Sequence, residues 1–339
     1  MTDADFCCCK IRVLRVKSGG SERRLIGRGF ESARCHTRPW LRLEGMFDFF
    51  KSTKFKLKVA GLIYKVLHLI FRKDSRMIKR KGITYEVDLS EGIDLSLFLF
   101  GNFQDYVYQN KFFKLTADAV IVDVGANIGA ISLNLARLVP QGHVYAFEPT
   151  DYAFKKLNRN VALNPLLAPR ITVTRAFVSD RASDASSLVA YSSWKLNAND
   201  AAEYHPVHGG KAMGTAGVAE LSLDDFIEAR QIKRVDLIKI DTDGHELEVI
   251  RGARGCLTMH SPHVIFELCS YLLDERGITF GDYVKIFSEL NYRLICLPGG
   301  QWITESNYQK LVPDRGSVDI LATRAPTALP RDAPVPLLR

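Results

Sequence analysis

VIVDVGANIGAIS, residues 120–132, is the stretch of this chain that determines its fold. It begins as a continuous apolar run rich in β-branched residues, which is typical of a strand buried on both faces. Gly125 interrupts the run, and Ile128, Ile131 and Leu135 then follow at helical spacing. A strand, a glycine turn and a helix allow backbone N–H groups at a helix N-terminus to approach a ligand closely. The stretch therefore predicts the ligand-binding turn of an α/β sheet.

A second predicted strand, residues 142–147, ends in Glu148. This acid follows the glycine turn by about twenty residues, where it can accept hydrogen bonds from both hydroxyls of a ribose. The two segments together predict a nucleoside ligand.

The residues of the glycine turn distinguish between nucleoside cofactors. A dinucleotide site has the pattern G-x-G-x-x-G, with glycines where the pyrophosphate meets the helix. Here Asp123 ends the strand, and Asn127 occupies the position two after Gly125. An acid and an amide suit an amino-acid moiety with a free ammonium and carboxylate better than a pyrophosphate. The pattern therefore favours S-adenosylmethionine over a nicotinamide cofactor, and over a Rossmann-like unit without a ligand.

Composition and charge narrow the class of protein. With 339 residues, 47% hydrophobic and 25% charged, the chain can bury a globular core. Residues 1–45 hold ten Lys/Arg against five Asp/Glu, so +5 of the net charge of +8 lies there. The remainder is only mildly basic, which argues against a nucleic-acid partner. Seven cysteines show neither metal-binding spacing nor a disulfide framework, which fits a reducing cytoplasm.

The two ends of the chain differ from its middle. Residues 1–45 have no periodicity and no apolar core of a signal peptide. Two interpretations stay open: a flexible basic tail, or a spurious extension ahead of a start at Met46. We favour the second. Residues 325–339 are rich in Pro and Ala and predict a disordered tail.

Residues 46–115 predict an amphipathic helix and a small cap ahead of the catalytic domain. Within residues 47–72, apolar residues recur at helical spacing among lysines. Such a helix either lies peripherally on an anionic membrane surface or packs its apolar side on the domain, and we favour the second. Residues 59–71, the best apolar run, are too short to span a membrane and contain Lys65 and His68.

Residues 116–324 alternate between predicted strands and helices, which indicates a mostly parallel sheet. Thr150 is predicted to cap the helix after the second strand. The predicted strands are residues 120–124, 143–147, 171–178, 235–241, 263–268, 292–297 and 319–323.

A long polar segment, residues 181–220, interrupts this alternation. It is too long for an ordinary connection in a compact domain, so it predicts a functional lid. We expect Trp194 and Tyr204 to select the substrate, and His205 and His208 to contact it.

Three segments in this order resemble the FkbM family of methyltransferases, over about residues 80–323. Asp123-Val-Gly-Ala-Asn-Ile-Gly129 with Phe147-Glu-Pro149 is similar to the family's cofactor motif, and residues 92–104 are similar to its entry segment. The most diagnostic match is Leu237-Ile-Lys-Ile-Asp241-x-Asp243-Gly244-x-Glu246. Asp243 stands where the family usually has Glu, so a role that needs the longer side chain is in doubt.

The resemblance implies methyl transfer from S-adenosylmethionine, most often to a hydroxyl of a sugar or a polyketide-like molecule. It also implies a Rossmann-like, doubly wound, seven-stranded sheet with helices on both faces and an antiparallel last strand. We therefore expect a cytoplasmic O-methyltransferase that acts on a saccharide, glycolipid or polyketide-like acceptor. The alternative is a non-catalytic protein that binds S-adenosylmethionine or serves as a membrane scaffold.

The candidate cofactor-binding residues lie near the carboxyl ends of predicted strands, where open α/β sheets bind their ligands. Glu148 is expected at the ribose, and Ser179 or Asp180 near the adenine. Asp123 either orients the methionine amine or satisfies turn amides. The full set is Asp123, Gly125, Asn127, Gly129, Glu148, Ser179 and Asp180.

Methyl transfer to an alcohol requires alignment and a base near the oxygen. Asp241 is the leading candidate base, and His245 is a second because of its ordinary pKa. Lys239 lies in an apolar strand, so its charge must be paired or reach solvent. Pairing with Asp241 or Glu267 would be a structural role and would also tune that acid's pKa.

Two further possibilities concern the acids of the same region. Asp243 and Glu246 have the spacing of a capping box, which is a structural role. No metal is predicted, although Asp241, Asp243 and Glu267 could supply oxygen ligands.

Overall fold

The computed structural model describes residues 53–181, 183–184, 189–191, 212–214, 217–297, 299–313 and 316–324. The interpretations of residues 1–45 and 325–339 lie outside this part of the chain. So do the four predicted acceptor-contacting residues Trp194, Tyr204, His205 and His208.

The described residues form fifteen strands and ten α-helices. The strands are β1 Ser75–Arg80, β2 Ile83–Asp88, β3 Val120–Val124, β4 His143–Phe147, β5 Ile171–Thr174, β6 Ala176–Ser179, β7 Ser183–Asp184, β8 Val189–Tyr191, β9 Ala212–Gly214, β10 Ala219–Ser222, β11 Leu237–Ile240, β12 His263–Cys269, β13 Arg293–Leu297, β14 Gln301–Trp302 and β15 Ser317–Thr323. The helices are α1 Thr53–Phe71, α2 Gly92–Phe100, α3 Ala130–Leu138, α4 Asp151–Ala162, α5 Leu223–Ala229, α6 Glu246–Arg251, α7 Arg254–Met259, α8 Ser270–Arg276, α9 Phe280–Glu289 and α10 Tyr308–Leu311.

The central sheet has the strand order β14-β13-β15-β12-β11-β3-β4-β5. Neighbouring strands from β12 to β5 are parallel, whereas β15 runs antiparallel to both β12 and β13. This confirms the mostly parallel α/β sheet and its antiparallel last strand. The sheet has eight strands rather than the seven predicted, because the two-residue strand β14 pairs with β13 at the edge.

Both faces of the sheet are covered by helices. Alternate residues of β3 enter different apolar clusters: Val122 and Val124 pack with residues of α5, α6 and α9, whereas Ile121 packs with residues of α2, α3 and α4. Because successive strand side chains point to opposite faces, a β-branched run such as this one must be covered twice. The buried run thus explains the doubly wound arrangement.

The third predicted strand is not continuous, so this prediction is wrong in part. Residues 171–178 divide at the exposed Arg175 into β5, which edges the central sheet, and β6, which pairs with β10 in a separate three-stranded sheet. All four residues of β6 are buried, whereas β5 is largely half-buried. The chain therefore leaves the edge of the central sheet after Arg175, and the apolar residues of β6 are buried in the three-stranded sheet instead.

The cap is built from the β1–β2 hairpin and α2. Its register is fixed by two asparagine side chains, Asn160 of α4 and Asn164 just beyond that helix. They accept hydrogen bonds from the backbone N–H groups of Glu86 and Thr84, each at 2.8 Å. The hairpin therefore packs beside α4. The cap reaches the carboxyl end of the central sheet through Tyr106, in the 3₁₀ turn Asp105–Val107.

Two smaller predictions can also be compared with the fold. Cys256, Cys269 and Cys296 are free and buried, as expected of small apolar residues. Over the residues that the structure describes, no helix combines the length and apolarity that crossing a membrane requires.

Candidate active site

The glycine turn joins three parallel strands at their carboxyl ends. The N–H groups of Gly125 and Ala126 donate to the carbonyl oxygen of Phe147, at 3.0 and 2.9 Å. Gly125 has a φ of +77°, and a Cβ atom there would lie 1.8 Å from the carbonyl oxygen of Asp241. Only glycine combines this backbone conformation with so close an approach. The turn therefore holds the ends of β3, β4 and β11 together.

Gly129, the N-cap residue of α3, has a similar conformation. Its φ is +85°, and a Cβ atom would lie 2.6 Å from the Cδ1 atom of Leu157 on α4. This glycine thus sets how closely the turn and α4 pack.

Glu148 supports the turn from the end of β4. Its carboxylate accepts hydrogen bonds from the N–H of Asn127 at 3.0 Å, and from the N–H and hydroxyl of Thr150 at 2.9 and 2.6 Å. Burial raises the pKa of Glu148, and these hydrogen bonds oppose that effect. Thr150 is the N-cap residue of α4 as predicted, but its hydroxyl bonds Glu148 instead of a helical N–H.

Asp123 is fully buried below the turn. One carboxylate oxygen accepts a hydrogen bond of 2.5 Å from the Ser132 hydroxyl, and the other lies 3.7 Å from the Nζ atom of Lys239. Burial raises the pKa of Asp123, whereas Lys239 and Ser132 lower it. Asp123 therefore contacts a hydroxyl and an ammonium, not the turn amides that one interpretation assigned to it.

Lys239 is the buried cation of the site. Its ammonium group lies 3.1 Å from Asp241 and donates to the carbonyl oxygen of Gly125 at 3.4 Å. Burial alone would lower the pKa of Lys239, but Asp241 and Asp123 outweigh it and raise the pKa above its ordinary value. The lysine is thus charged, and the predicted pairing with Asp241 is confirmed.

Asp241 follows β11 and remains partly accessible, with 24% of its side chain exposed. Lys239 holds its Oδ2 atom, and among the described residues no hydrogen bond reaches Oδ1. Asp241 thus combines a fixed oxygen with an available one.

Glu246 stabilises the loop after Asp241. It accepts hydrogen bonds from the N–H and hydroxyl of Thr242, at 2.9 and 3.0 Å, and from the N–H of Gly244 at 3.1 Å. The predicted capping box of Asp243 and Glu246 is therefore wrong, because α6 begins at Glu246 itself and His245 is its N-cap residue. Glu246 has a structural role of another kind, since it holds the loop that precedes the helix. Asp243 has a φ of +50°, and burial together with Asp241 raises its pKa.

His245 contacts Arg276 of α8. Its Nδ1 atom lies 2.7 Å from an Nη atom of Arg276, and its ring packs edge-on against Phe177. Arg276 also donates to Glu248 at 2.6 Å. Because a guanidinium can only donate, Nδ1 is the acceptor and the proton of the neutral ring is on Nε2.

Tyr106 and Asp319, which were not predicted as site residues, lie near Asp241. The hydroxyl of Tyr106 donates to Asp319 at 2.5 Å, and Asp319 stands opposite Glu267 in the β12–β15 ladder. Burial raises the pKa of Asp319 to about 6, opposed by the Tyr106 hydrogen bond. Burial also raises the pKa of Glu267, with Asp241 and Asp319 adding to the effect. Asp319 begins the predicted last strand, but no local pattern pairs it with Tyr106.

Ser179 and Asp180 lie at the end of β6, on the smaller sheet. The Ser179 hydroxyl is 3.4 Å from Asp180, and the Ser179 carbonyl oxygen packs closely against Gly252. Within the described ranges, no hydrogen bond or ion pair joins either residue to the glycine turn or to Glu148. Their expected place near the adenine stays a prediction.

The turn residues fit S-adenosylmethionine. Asn127 has a buried Oδ1 atom with no hydrogen-bond partner among the described residues, which leaves an acceptor for an ammonium group. The Oε2 atom of Glu148 accepts one hydrogen bond, so it retains capacity for a ribose hydroxyl. In the part of the chain that the structure describes, no three His, Cys, Asp or Glu side chains are grouped to hold a metal ion.

A family model described as "Methyltransferase FkbM domain" matches residues 123–294. The match begins at Asp123 and contains the glycine turn, Glu148 and the Lys239–Asp241 pair.

Three curated relatives are each similar to about half of the chain. Methyltransferase 1 of Beauveria bassiana is 29% identical over 47% of this chain and 67% of its own length. The hexuronic acid methyltransferase AglP of Haloferax volcanii is 26% identical over 51% of this chain and 62% of its own length. The 2-O-methyltransferase NoeI of Sinorhizobium fredii is 28% identical over 42% of this chain and 60% of its own length. The matched part thus spans about two thirds or less of these relatives.

Proposed function

The chain belongs to the FkbM methyltransferase family, and from this premise we propose that it transfers a methyl group from S-adenosylmethionine to a hydroxyl oxygen. The single observation that supports this most is the position of Lys239. Its ammonium group contacts the Gly125 carbonyl oxygen on the cofactor turn and the Asp241 carboxylate at the same time. The proposed cofactor site and the proposed base are therefore held in one hydrogen-bonded unit.

The glycine turn and Glu148 would hold the cofactor. Bound S-adenosylmethionine supplies an activated methyl group, which passes to the acceptor oxygen as its C–S bond breaks and a C–O bond forms. Asn127 would receive the methionine ammonium, Glu148 the ribose hydroxyls, and Ser179 or Asp180 would lie near the adenine. The acids at the carboxyl end of the sheet create a negative potential that suits a cationic ligand.

Asp241 would orient the acceptor hydroxyl and take its proton. Its available Oδ1 atom can accept the O–H hydrogen bond while Lys239 keeps Oδ2 in place. Lys239 is buried and already paired, so we assign it a positioning role. His245 cannot accept a proton at Nδ1 while Arg276 occupies that atom, so we assign it a positioning role as well.

The acceptor class that we propose is a saccharide or a similar hydroxyl-bearing small molecule. Two relatives are a hexuronic acid methyltransferase and a 2-O-methyltransferase, and the match to each includes less than two thirds of its length. A sugar hydroxyl also suits the chemistry of Asp241, since carboxylates bind sugar hydroxyls as hydrogen-bond acceptors.

The cofactor assignment is tested by calorimetric titration of the full chain with S-adenosylmethionine, S-adenosylhomocysteine and NAD. We expect the first two to bind and NAD not to bind. Glu148→Gln should weaken binding about tenfold to a hundredfold, because a charged acceptor is lost. Glu289→Gln, at an exposed salt bridge with Arg254, is the matched control and should bind normally. Binding of NAD alone, or of none of the three, would overturn the assignment.

The base assignment is tested by single substitutions in one loop. With labelled S-adenosylmethionine and hexuronic-acid oligosaccharides as probes, Asp241→Asn should lower turnover about 10²- to 10⁴-fold. Its affinity for the cofactor should change by only a few-fold. His245→Asn should retain most of the turnover, because the amide oxygen can still accept the Arg276 hydrogen bond. If His245→Asn loses turnover and Asp241→Asn does not, the roles are reversed.

A further inference from the structure

Helix α1 is apolar on two opposite sides. Its inner side packs on the domain, where Tyr64 is buried and joins the same apolar cluster as Ala60 and Leu67. The Tyr64 hydroxyl donates to Asp74 at 3.1 Å, just beyond the end of the helix. This side agrees with the prediction that the helix packs its apolar residues on the domain.

The outer side of α1 is also apolar, and it is exposed. Leu62, Val66, Leu69 and Ile70 have 66%, 52%, 80% and 64% of their surface exposed. Their spacing of four, seven and eight residues places them on one face of the helix. A solvated outer face would carry polar residues here, so the preferred sequence interpretation explains only one side of α1. We call these four residues the outer apolar face.

A cluster of exposed apolar residues differs from isolated ones. Leu166 and Met259 are equally exposed elsewhere on the protein, but each stands alone in its segment. Single exposed apolar residues are normal on any protein, whereas a contiguous patch marks an interaction surface. The outer apolar face therefore requires a partner.

The charge around this face identifies the partner. Residues 59–74, which run from the exposed part of α1 to the start of β1, contain three Lys/Arg and one acid, Asp74. Asp74 is already bonded by Tyr64 and by His68, the latter at 2.8 Å. Lys65 lies one turn after Leu62 on the helix, and Arg72 and Lys73 directly follow its last residue, Phe71; all three cations are exposed. Cations thus lie beside the outer apolar face at Lys65 and just beyond its C-terminal end at Arg72 and Lys73.

This combination disfavours self-association and favours anionic lipid. Two copies meeting through α1 would bring two sets of like charges together, which is unfavourable. An anionic membrane surface accepts apolar side chains at the acyl boundary and cations at the phosphates. We propose that α1 lies in the plane of an anionic membrane, with the outer apolar face inserted and Lys65 and Lys73 at the headgroups.

Vesicle co-sedimentation of the full chain tests this proposal. We expect binding to phosphatidylcholine vesicles that contain phosphatidylglycerol, much weaker binding to phosphatidylcholine alone, and release by high salt. The double substitution Leu62→Gln with Leu69→Gln should weaken binding about tenfold or more, because two inserted side chains are lost. Lys65→Gln with Lys73→Gln should weaken only the binding to anionic vesicles, again about tenfold.

The matched control is the double substitution Leu166→Gln with Met259→Gln, which replaces two exposed apolar side chains elsewhere on the protein. This variant should bind vesicles as the unaltered protein does. Circular dichroism melting confirms that each variant folds. The proposal is overturned if the α1 variants bind like the control, which would assign binding to another segment, or if the chain binds neither vesicle. Light scattering that finds a dimer lost in the Leu62/Leu69 variant would assign the face to a second copy instead.

Discussion

Two clusters of one cation with two carboxylates lie at opposite ends of β3 and β11. At the amino ends, Arg234 bonds Asp118 at 3.0 Å and Asp236 at 2.8 Å. At the carboxyl ends, Lys239 lies 3.7 Å from Asp123 and 3.1 Å from Asp241. The composition is the same, but 45% of the Arg234 side chain is exposed against 4% of Lys239.

The difference shows that burial, and not the pairing itself, distinguishes the candidate active site. The exposed cluster connects the amino ends of β3 and β11, since Asp236 also accepts a hydrogen bond from the N–H of Val120 at 2.8 Å. Hydrogen bonds from Arg234 and Thr116 lower the pKa of Asp118 to about 2, whereas burial raises the pKa of Asp123. The pKa of an aspartate is therefore shifted downward by its partners at the exposed end and upward by burial at the other.

The largest contrast should come from removing each cation. Lys239→Met leaves Asp123 and Asp241 without their buried partner, which should cost about 3 to 5 kcal/mol of unfolding free energy. Arg234→Met should cost much less, because its carboxylates remain in contact with water. Urea unfolding of both variants measures the difference. Adding Asp123→Asn to Lys239→Met should recover part of the loss, and equal losses in the two single variants would contradict the comparison.

A second contrast uses glycines of similar conformation. Gly125→Ala would place its Cβ against the Asp241 carbonyl oxygen, so we expect a loss of about 3 kcal/mol and no cofactor binding. Gly82 has a φ of +83° with no atom within 4 Å of a Cβ, so Gly82→Ala should cost about 1 kcal/mol and leave cofactor binding intact. Thermal melting and calorimetry check both. Similar losses would show that backbone conformation, and not the close packing of β3 on β11, matters at the turn.

The smallest effect is a difference in pH dependence. Asp319 has a folded-state pKa of about 6 against an ordinary 3.8, so the folded state binds more protons and stability falls as pH rises from about 4 to about 6. Asp118, with its pKa lowered to about 2, acts oppositely, and its contribution is lost as pH falls from about 4 to about 2.

Asp319→Asn should flatten the stability curve between pH 4 and 6 by roughly 1 to 3 kcal/mol, and Asp118→Asn should not. The groups around Asp319 are Tyr106, Glu267, Asp241 and Lys239, and Glu267 contributes in the same direction. Urea unfolding over a pH series measures the slopes. An unchanged slope in Asp319→Asn would assign the dependence to Glu267.

Much of the site could be predicted because its parts are local in sequence. A buried run broken by Gly125 specifies a strand and a turn, and Glu148 follows its own strand directly. Lys239 in an apolar strand needs a partner, and Asp241, two residues on, lies on the same side. These inferences depend on strand periodicity and on the shared edge of parallel strands, so they needed no knowledge of distant contacts.

The amino-acid sequence by itself thus determined the sheet class, the glycine turn and the Lys239–Asp241 pair, because periodicity and short spacing encode them. Only the tertiary structure decided the division of the third strand and the contact of Tyr106 with Asp319, 213 residues apart. It also decided which side of α1 is covered. Contacts and burial of this kind depend on what packs against a segment from elsewhere in the chain, and no pattern within the segment records it.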